Sequence, residues 1–210
     1  MDGLSLRAGQ QFHVDLHLFT VGNYIQEHIQ NAFSQFETSG FGVHRSRAVL
    51  DRVDGPSPVA LSLDPLQAGI THARVEFLSP TELKHDGSVA EQPRFDVLFS
   101  RACTRLATLQ GLYGDEPLKI DFSQLHQKAR RITLKEHELR HCQKQRRSSR
   151  TGQVHPLGGF IGFAEYDGDL DSFIPYLQAS RWTGVGRQTV WGKGEIAVRF
   201  SHEFQGQPPA

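Results

Sequence analysis

The chain has 210 residues, of which 38% are hydrophobic, and a mean hydropathy of −0.43, which fits one large or two small globular domains. It contains no apolar run near the roughly 20 residues of a membrane span and no signal-peptide core at its start. Two cysteines are too few for a disulfide framework or a cysteine-based zinc site. We therefore expect reduced thiols in a cytoplasmic protein without a membrane partner.

The first quarter of the chain predicts strand, helix and strand. Residues 11–19 alternate apolar and polar side chains, which indicates a half-buried strand. Helical spacing of apolar residues from Ile25 to Phe36 predicts a helix that ends near Gly40, because glycine suits the left-handed position after a helix. Residues 43–53 predict a second strand, and residues 54–69, rich in Pro, Ser and Gly, read as a linker.

From residue 70 onward the pattern predicts seven elements. In chain order they are a strand, a long helix, a short helix, two long strands, a helix and a strand, over residues 72–78, 95–109, 122–129, 131–146, 154–166, 170–178 and 195–200. The first strand should end at Ser79-Pro80. The two long strands should form a hairpin with a turn at 148–153. Asp169 or Asp171 is expected to cap the last helix.

This order predicts an α+β, ferredoxin-like (RRM-like) βαββαβ fold. Residues 70–204 would form a complete unit after a linker at 56–69. Residues 1–55 would form the second half of a preceding unit, since Gly40-x-Gly42 and Gly184-x-Gly186 hold equivalent places.

Half a unit leaves a gap in its sheet. In this fold the first strand lies between the third and the fourth, so residues 11–53 alone would expose unpaired N–H and C=O groups. We expect an N-terminal segment, a partner or a swapped copy to fill the gap.

The positive charge is concentrated in one stretch. Formal net charge is zero, yet residues 128–150 hold nine Lys/Arg against two Glu, a net +7. Such a stripe is typical of a polyanion site, and the alternative is a solvated basic face. The candidate RNA-binding residues here are Arg130, Arg131, Lys135, Arg140, Lys144, Arg146, Arg147, Ser149 and Arg150.

A glycine-rich segment follows the last predicted helix. Gly184, Gly186, Gly192 and Gly194 would let a backbone approach a ligand closely, and Arg187 and Lys193 could meet phosphate. A Rossmann dinucleotide loop is the rival interpretation, but that loop follows a strand and opens a helix. Here the order is reversed.

Sites for metal or acid–base chemistry are less defined. His137 and His141 are four apart but lie in a predicted strand without a zinc-protease pattern, so we expect neither metal nor cofactor. With His155 they lie near the arginines and are weak catalytic candidates by chemistry alone. Trp182 is expected to pack, and Trp191 could pack or stack on a base.

Several segments together resemble a known family. They are Ala73-Arg-Val-Glu-Phe-Leu-Ser-Pro80, residues 94–106, Gly158-Gly159-Phe-Ile-Gly162, Asp169-Leu170, residues 182–194, and, more weakly, residues 7–12 and 40–42. The series is similar to the CRISPR-associated repeat-processing endoribonucleases, the sixth Cas protein family within the RAMP superfamily.

The resemblance implies two tandem ferredoxin-like domains that bind CRISPR precursor RNA and cut it within the repeat. The implied cut needs no metal, because the 2′-hydroxyl attacks the adjacent phosphodiester and leaves a cyclic phosphate. The glycine loop and the 131–154 hairpin would contact RNA. Many relatives carry the catalytic histidine in a region ahead of the matching part, so no catalytic residue is transferred. The alternatives are a non-catalytic RAMP subunit of a CRISPR effector complex, or a C-terminal fragment that binds RNA without cutting.

Overall fold

A computed structural model describes residues 6–19, 23–42, 44–143, 145–147 and 152–201, with the backbone alone for residues 23, 146, 147, 155 and 156. The elements in chain order are α1 (Asn23–Ser34), α2 (Phe36–Ser39), β1 (His72–Thr81), β2 (Lys84–His85), β3 (Ser88–Val89), α3 (Phe95–Tyr113), α4 (Phe122–Ala129), β4 (Thr133–Cys142), β5 (Gln145–Arg147), β6 (Val154–Pro156), β7 (Gly159–Asp167), α5 (Ile174–Thr183), a short 3-10 helix (Thr189–Trp191) and β8 (Ile196–Ser201). None of the described helices has the length and apolar character needed to cross a membrane.

The main sheet has the ferredoxin-like strand order. Its four strands lie in the order β4-β7-β1-β8 and every neighbouring pair is antiparallel. The first strand of the unit therefore lies between the third and the fourth, as predicted. The α+β, ferredoxin-like fold of residues 70 onward is confirmed.

The core lies between this sheet and helices α3 and α5. Alternate residues of β1, namely Ala73, Val75 and Phe77, are at most 2% exposed, as period-two alternation requires. Phe99 packs edge-to-face on Phe173 and Tyr176 at ring distances of 4.9 and 5.3 Å. Such pairs join the starts of the two helices and stabilise them beyond simple apolar burial.

Strand β1 does not end at Pro80, contrary to our prediction. It continues to Thr81 with a register irregularity between Phe77 and Thr81. Proline is tolerated in a strand where no ladder N–H is required. The Pro80 carbonyl still accepts a 3.2 Å hydrogen bond from the N–H of Gly194, so the bend brings the strand end against the glycine loop.

The predicted cap of the last helix is wrong. Helix α5 begins at Ile174, and Phe173 is its N-cap residue without a side-chain hydrogen bond. The Asp171 carboxylate instead accepts three backbone N–H bonds, from Ala68 at 3.1 Å, Gly69 at 2.9 Å and Ile70 at 2.8 Å. The carboxylate therefore anchors the end of the linker and does not cap α5.

The predicted hairpin is formed and extends beyond the sheet. Strands β4 and β7 pair up to Cys142 and Gly159, and β5 and β6 then pair from Gln145 and Pro156 to Arg147 and Val154. We call strands β5 and β6 the arm. Residues 148–151 of the predicted turn lie outside the described residues. The edge of the sheet at Thr81, Cys142 and Gly159 is the arm end.

The N-terminal residues form the predicted helix but not the predicted strands. Helix α1 ends at Ser34 and α2 ends at Ser39, just before Gly40, whose φ of 68° is the positive value expected there. In the described parts of 11–19 and 43–53 no strand is assigned, and the only bridge pairs Phe41 with Ser46. Val43 lies outside the described residues. Strands need neighbouring strands for their backbone groups, and the described chain supplies none here.

Candidate nucleic-acid interface

The glycine-rich loop packs against the arm end of the sheet. It follows α5 and spans residues 184–194, and its four glycines all have φ between 71° and 88°. The N–H of Val185 donates to the Gly194 carbonyl at 2.8 Å, and the N–H of Arg187 donates to the Glu82 carbonyl at 3.1 Å. The loop is therefore closed on itself and bonded to the end of β1.

The close backbone approaches predicted for these glycines are made by the protein itself. A Cβ on Gly194 would lie 2.0 Å from the Val185 carbonyl oxygen, and one on Gly186 would lie 2.5 Å from that of Glu82. At Gly184 the nearest atom is a Thr189 methyl at 3.1 Å, whereas Gly192 has open space. Of the four, only Gly192 keeps the room that a ligand backbone would require.

Lys193 is buried, which sequence reasoning did not anticipate. The residue is 4% exposed, and its ammonium donates to the Gly158 carbonyl at 2.6 Å, to Gln188 Oε1 at 3.0 Å and to Glu82 Oε2 at 3.3 Å. All three ammonium protons thus have an acceptor. Lys193 joins the loop to the base of the arm and is not placed to meet a phosphate.

Arg187 remains half-exposed beside the same carboxylate. Its guanidinium pairs with Glu82 Oε1, and the two side chains are 46% and 10% exposed. Burial acts to raise the pKa of Glu82, but Arg187 and Lys193 more than offset it and hold that pKa below its usual value. Burial lowers the pKa of Lys193, and the nearby Glu82 charge only partly restores it. Glu82 and Gln188 were missed because neither lies in a sequence motif that would mark it as a partner of Lys193.

The predicted basic residues are distributed along the whole hairpin. Arg130, Arg131 and Lys135 lie near the start of β4, where Lys135 pairs with Asp167 at 3.1 Å. Arg140 is exposed farther along β4, and the backbones of Arg146 and Arg147 lie in β5 of the arm. Lys144, Ser149 and Arg150 are outside the described residues. The structure therefore brings the glycine loop and the base of the arm together, and leaves the first group at the opposite end.

His137 and His141 do not form an acid–base pair with each other. His137 and His141 are exposed on β4, opposite Ala164 and Phe160. Four strand residues separate them by roughly 13 Å. For His155 only the backbone is described. Across the described residues no group of three or more His, Cys, Asp or Glu is placed to hold a metal ion.

On the face of the sheet that the helices leave uncovered, arginine side chains are paired with carboxylates. Arg74 bonds Glu165 at 2.7 Å and lies 3.4 Å above the ring of Phe163, while Arg199 pairs with Glu76 at 3.4 Å. RRM-type domains stack bases on aromatic rings of this face. Here the guanidinium of Arg74 covers the ring of Phe163, and Glu165 and Glu76 neutralise the charges of Arg74 and Arg199. Charge therefore favours the arm end over the sheet face as a polyanion site.

The two cysteines differ in burial and neither forms a disulfide. Cys103 is 7% exposed in the core, and burial raises its pKa to about 12. Cys142 is half-buried at the arm end.

The fold and the interface define a ferredoxin-like α+β protein in which the hairpin continues into a separate two-stranded arm and a glycine-rich loop is bonded to the base of that arm. The family model for CRISPR-associated endoribonuclease Cas6 matches residues 75–196, more than half of the chain. The chain belongs to this family, as the sequence resemblance predicted.

Solved Cas6 structures are similar at low sequence identity. A Cas6 product complex is 20% identical, covers 63% of this chain and 53% of its own, and has a TM-score of 0.45. Cas6 of Thermus thermophilus is 16% identical, with coverages of 65% and 56% and a TM-score of 0.49. A partial Cas6-RT-Cas1–Cas2 complex is 13% identical, with coverages of 67% and 24% and a TM-score of 0.45. The chain thus spans about half the length of the first two. No protein of curated function matches it.

Proposed function

We propose that the chain binds CRISPR repeat RNA through the arm and the neighbouring loop surface, and takes part in cutting that RNA within the repeat. Membership of the Cas6 family supports the reaction class. The observation that carries the binding site is the arm, whose strands hold Arg146 and Arg147 beyond the edge of the sheet. Arginine forks bind phosphate oxygens in two-point contacts.

The proposed cut follows from RNA chemistry. The 2′-oxygen attacks the adjacent phosphorus and loses its proton to a base. The bond to the 5′-oxygen breaks, that oxygen receives a proton from an acid, and a 2′,3′-cyclic phosphate remains. Positive charge beside the phosphate lowers the barrier. The chain offers such charge at the arm, and we assign no base or acid.

A non-catalytic RNA-holding role is the second candidate, for a RAMP-type subunit of a CRISPR effector complex or for a fragment. It is favoured by the separation of His137 and His141, since a base and an acid for one phosphate must lie within hydrogen-bond reach of it.

Cleavage of repeat RNA in EDTA separates the two candidates. We expect one site-specific cut, and no cut in RNA whose nucleotide before that site is 2′-deoxy. Binding without cleavage would favour the holding role. Equal affinity for repeat and scrambled RNA would reject both in favour of a general RNA-binding domain.

We also propose that residues 1–55 acquire strands from a preceding segment, a partner or a swapped copy. Phe12, Val14, Leu16 and Leu18 alternate with polar residues along the chain and are 41–49% exposed. Such an apolar face usually marks an interface. Slow amide exchange of residues 11–19 only in an oligomer or in a longer chain would support this. Slow exchange in the isolated monomer would contradict it.

A further inference from the structure

We infer that Lys193 and Glu82 form a positioning pair that keeps the Arg187 guanidinium available to a phosphate of bound RNA. This inference rests on the proposed RNA binding. Lys193 then acts on Arg187 and does not touch the ligand, whereas its sequence context predicted that it contacts a phosphate.

Glu82 has one oxygen paired with Arg187 and the other with Lys193. Its side chain is 10% exposed, and that of Lys193 is 3% exposed. A buried carboxylate that loses all its partners is strongly destabilised. Because the buried ammonium stays in place, Glu82 keeps a cationic partner when Arg187 leaves.

The Arg187 side chain is 46% exposed, so it can turn outward without a large change in burial. Its backbone N–H remains bonded to the Glu82 carbonyl at 3.1 Å, which fixes the point from which the side chain extends. The carboxylate therefore holds the guanidinium until a phosphate oxygen replaces it.

The Lys193 ammonium also bonds the carbonyl of Gly158, one residue before β7. This contact places Arg187's loop at the base of the arm. A strand of RNA that follows the arm would pass the loop, so its phosphates would reach both.

The test is a set of affinities for labelled CRISPR repeat RNA, measured by fluorescence anisotropy. In Lys193→Met, Arg187 is the remaining partner of Glu82 and is held more tightly, so we expect affinity to fall by roughly tenfold. In Glu82→Gln/Lys193→Met the carboxylate charge is gone, and affinity should return to the wild-type value or exceed it. Lys119→Met removes the same charge from an exposed pair with Glu116 and should change little.

Position 187 supplies the decisive control. In an Arg187→Ala/Glu82→Gln background, where no buried carboxylate is left unpaired, the Lys193→Met change should have no further effect on affinity. A merely structural role for Lys193 would weaken binding in that background and in the double variant as well, and either result would overturn the inference. If Lys193→Met does not fold, as a thermal melt would show, the double variant alone decides, and affinity below wild type rejects the idea.

The outcome also separates this inference from the proposed function. If the wild-type chain binds no repeat RNA, both the proposed function and the positioning pair are rejected. If wild-type binding depends on the arm arginines but the effects of changes at positions 187 and 193 are additive, only the positioning role of Lys193 and Glu82 is rejected.

Discussion

The ammonium of Lys193 donates a 2.6 Å hydrogen bond to the carbonyl of Gly158, which joins the glycine-rich loop to the base of the arm. The two residues are 35 positions apart, and the same ammonium holds Glu82 and Gln188. Three separate segments of the arm end therefore depend on one buried cation.

Replacing Arg146, Arg147 and Arg150 by alanine should weaken binding of repeat RNA and flatten its salt dependence. Each lost phosphate contact should lower the slope of log affinity against log salt by about one unit. The measurement is a salt titration of affinity, with Arg130→Ala/Arg131→Ala as the control from the other end of the hairpin. An unchanged slope in the arm variant would exclude the arm as the RNA site.

Gly194→Ala should destabilise the protein more than Gly192→Ala. Both glycines have positive φ, 75° and 80°, so each alanine carries a backbone cost of about 1–2 kcal/mol. Only at Gly194 does the new Cβ meet the Val185 carbonyl oxygen, which forces the loop open. Denaturant unfolding of the two variants gives the comparison, and equal losses would contradict the close packing described for this loop.

Native protein should react with a thiol reagent such as DTNB at one cysteine. Cys103 is buried and its pKa is raised to about 12, so at pH 8 it is almost entirely a protonated, shielded thiol. Cys142 is half-buried and should react. Cys142→Ser should then show no fast reaction until denaturant is added, whereas Cys103→Ser should keep it. Fast labelling of Cys142→Ser would mean that the core opens readily.

Asp167→Asn should flatten the acid side of the stability profile. Burial acts to raise the pKa of Asp167, but hydrogen bonds from His72 and Lys135 and their charges leave it below the usual aspartate value. A carboxyl with a lowered folded pKa stabilises the protein above its unfolded pKa, and this stability is lost as pH falls through the folded pKa.

Wild-type stability should therefore decrease below about pH 4 more steeply than that of Asp167→Asn. Urea unfolding across that range provides the measurement. Asp54→Asn, which removes an exposed pair with Arg52, serves as the control and should follow wild type, because surface pairs contribute little. Parallel curves for wild type and Asp167→Asn would show that the His72 pair does not control acid stability.

The local elements and their order from residue 70 onward could be read from the sequence pattern. Apolar spacing gave α3, α4 is formed at the predicted residues 122–129, and the long hairpin follows from strand pattern and turn residues. These signals are local, because side-chain periodicity depends on the repeat of one helix or strand. The basic charge of the hairpin and the family resemblance were also readable without coordinates.

Which of these residues meet, and what they do there, depends on contacts between distant parts of the folded chain. In the fold Lys193 is buried beside Glu82, and Asp171 anchors the linker and does not cap a helix. Residues 11–19 have no strand partners within the described chain. Burial, ion pairing and strand pairing join residues far apart in sequence. A lysine before a glycine therefore looks the same in sequence whether it meets a phosphate or a buried carboxylate.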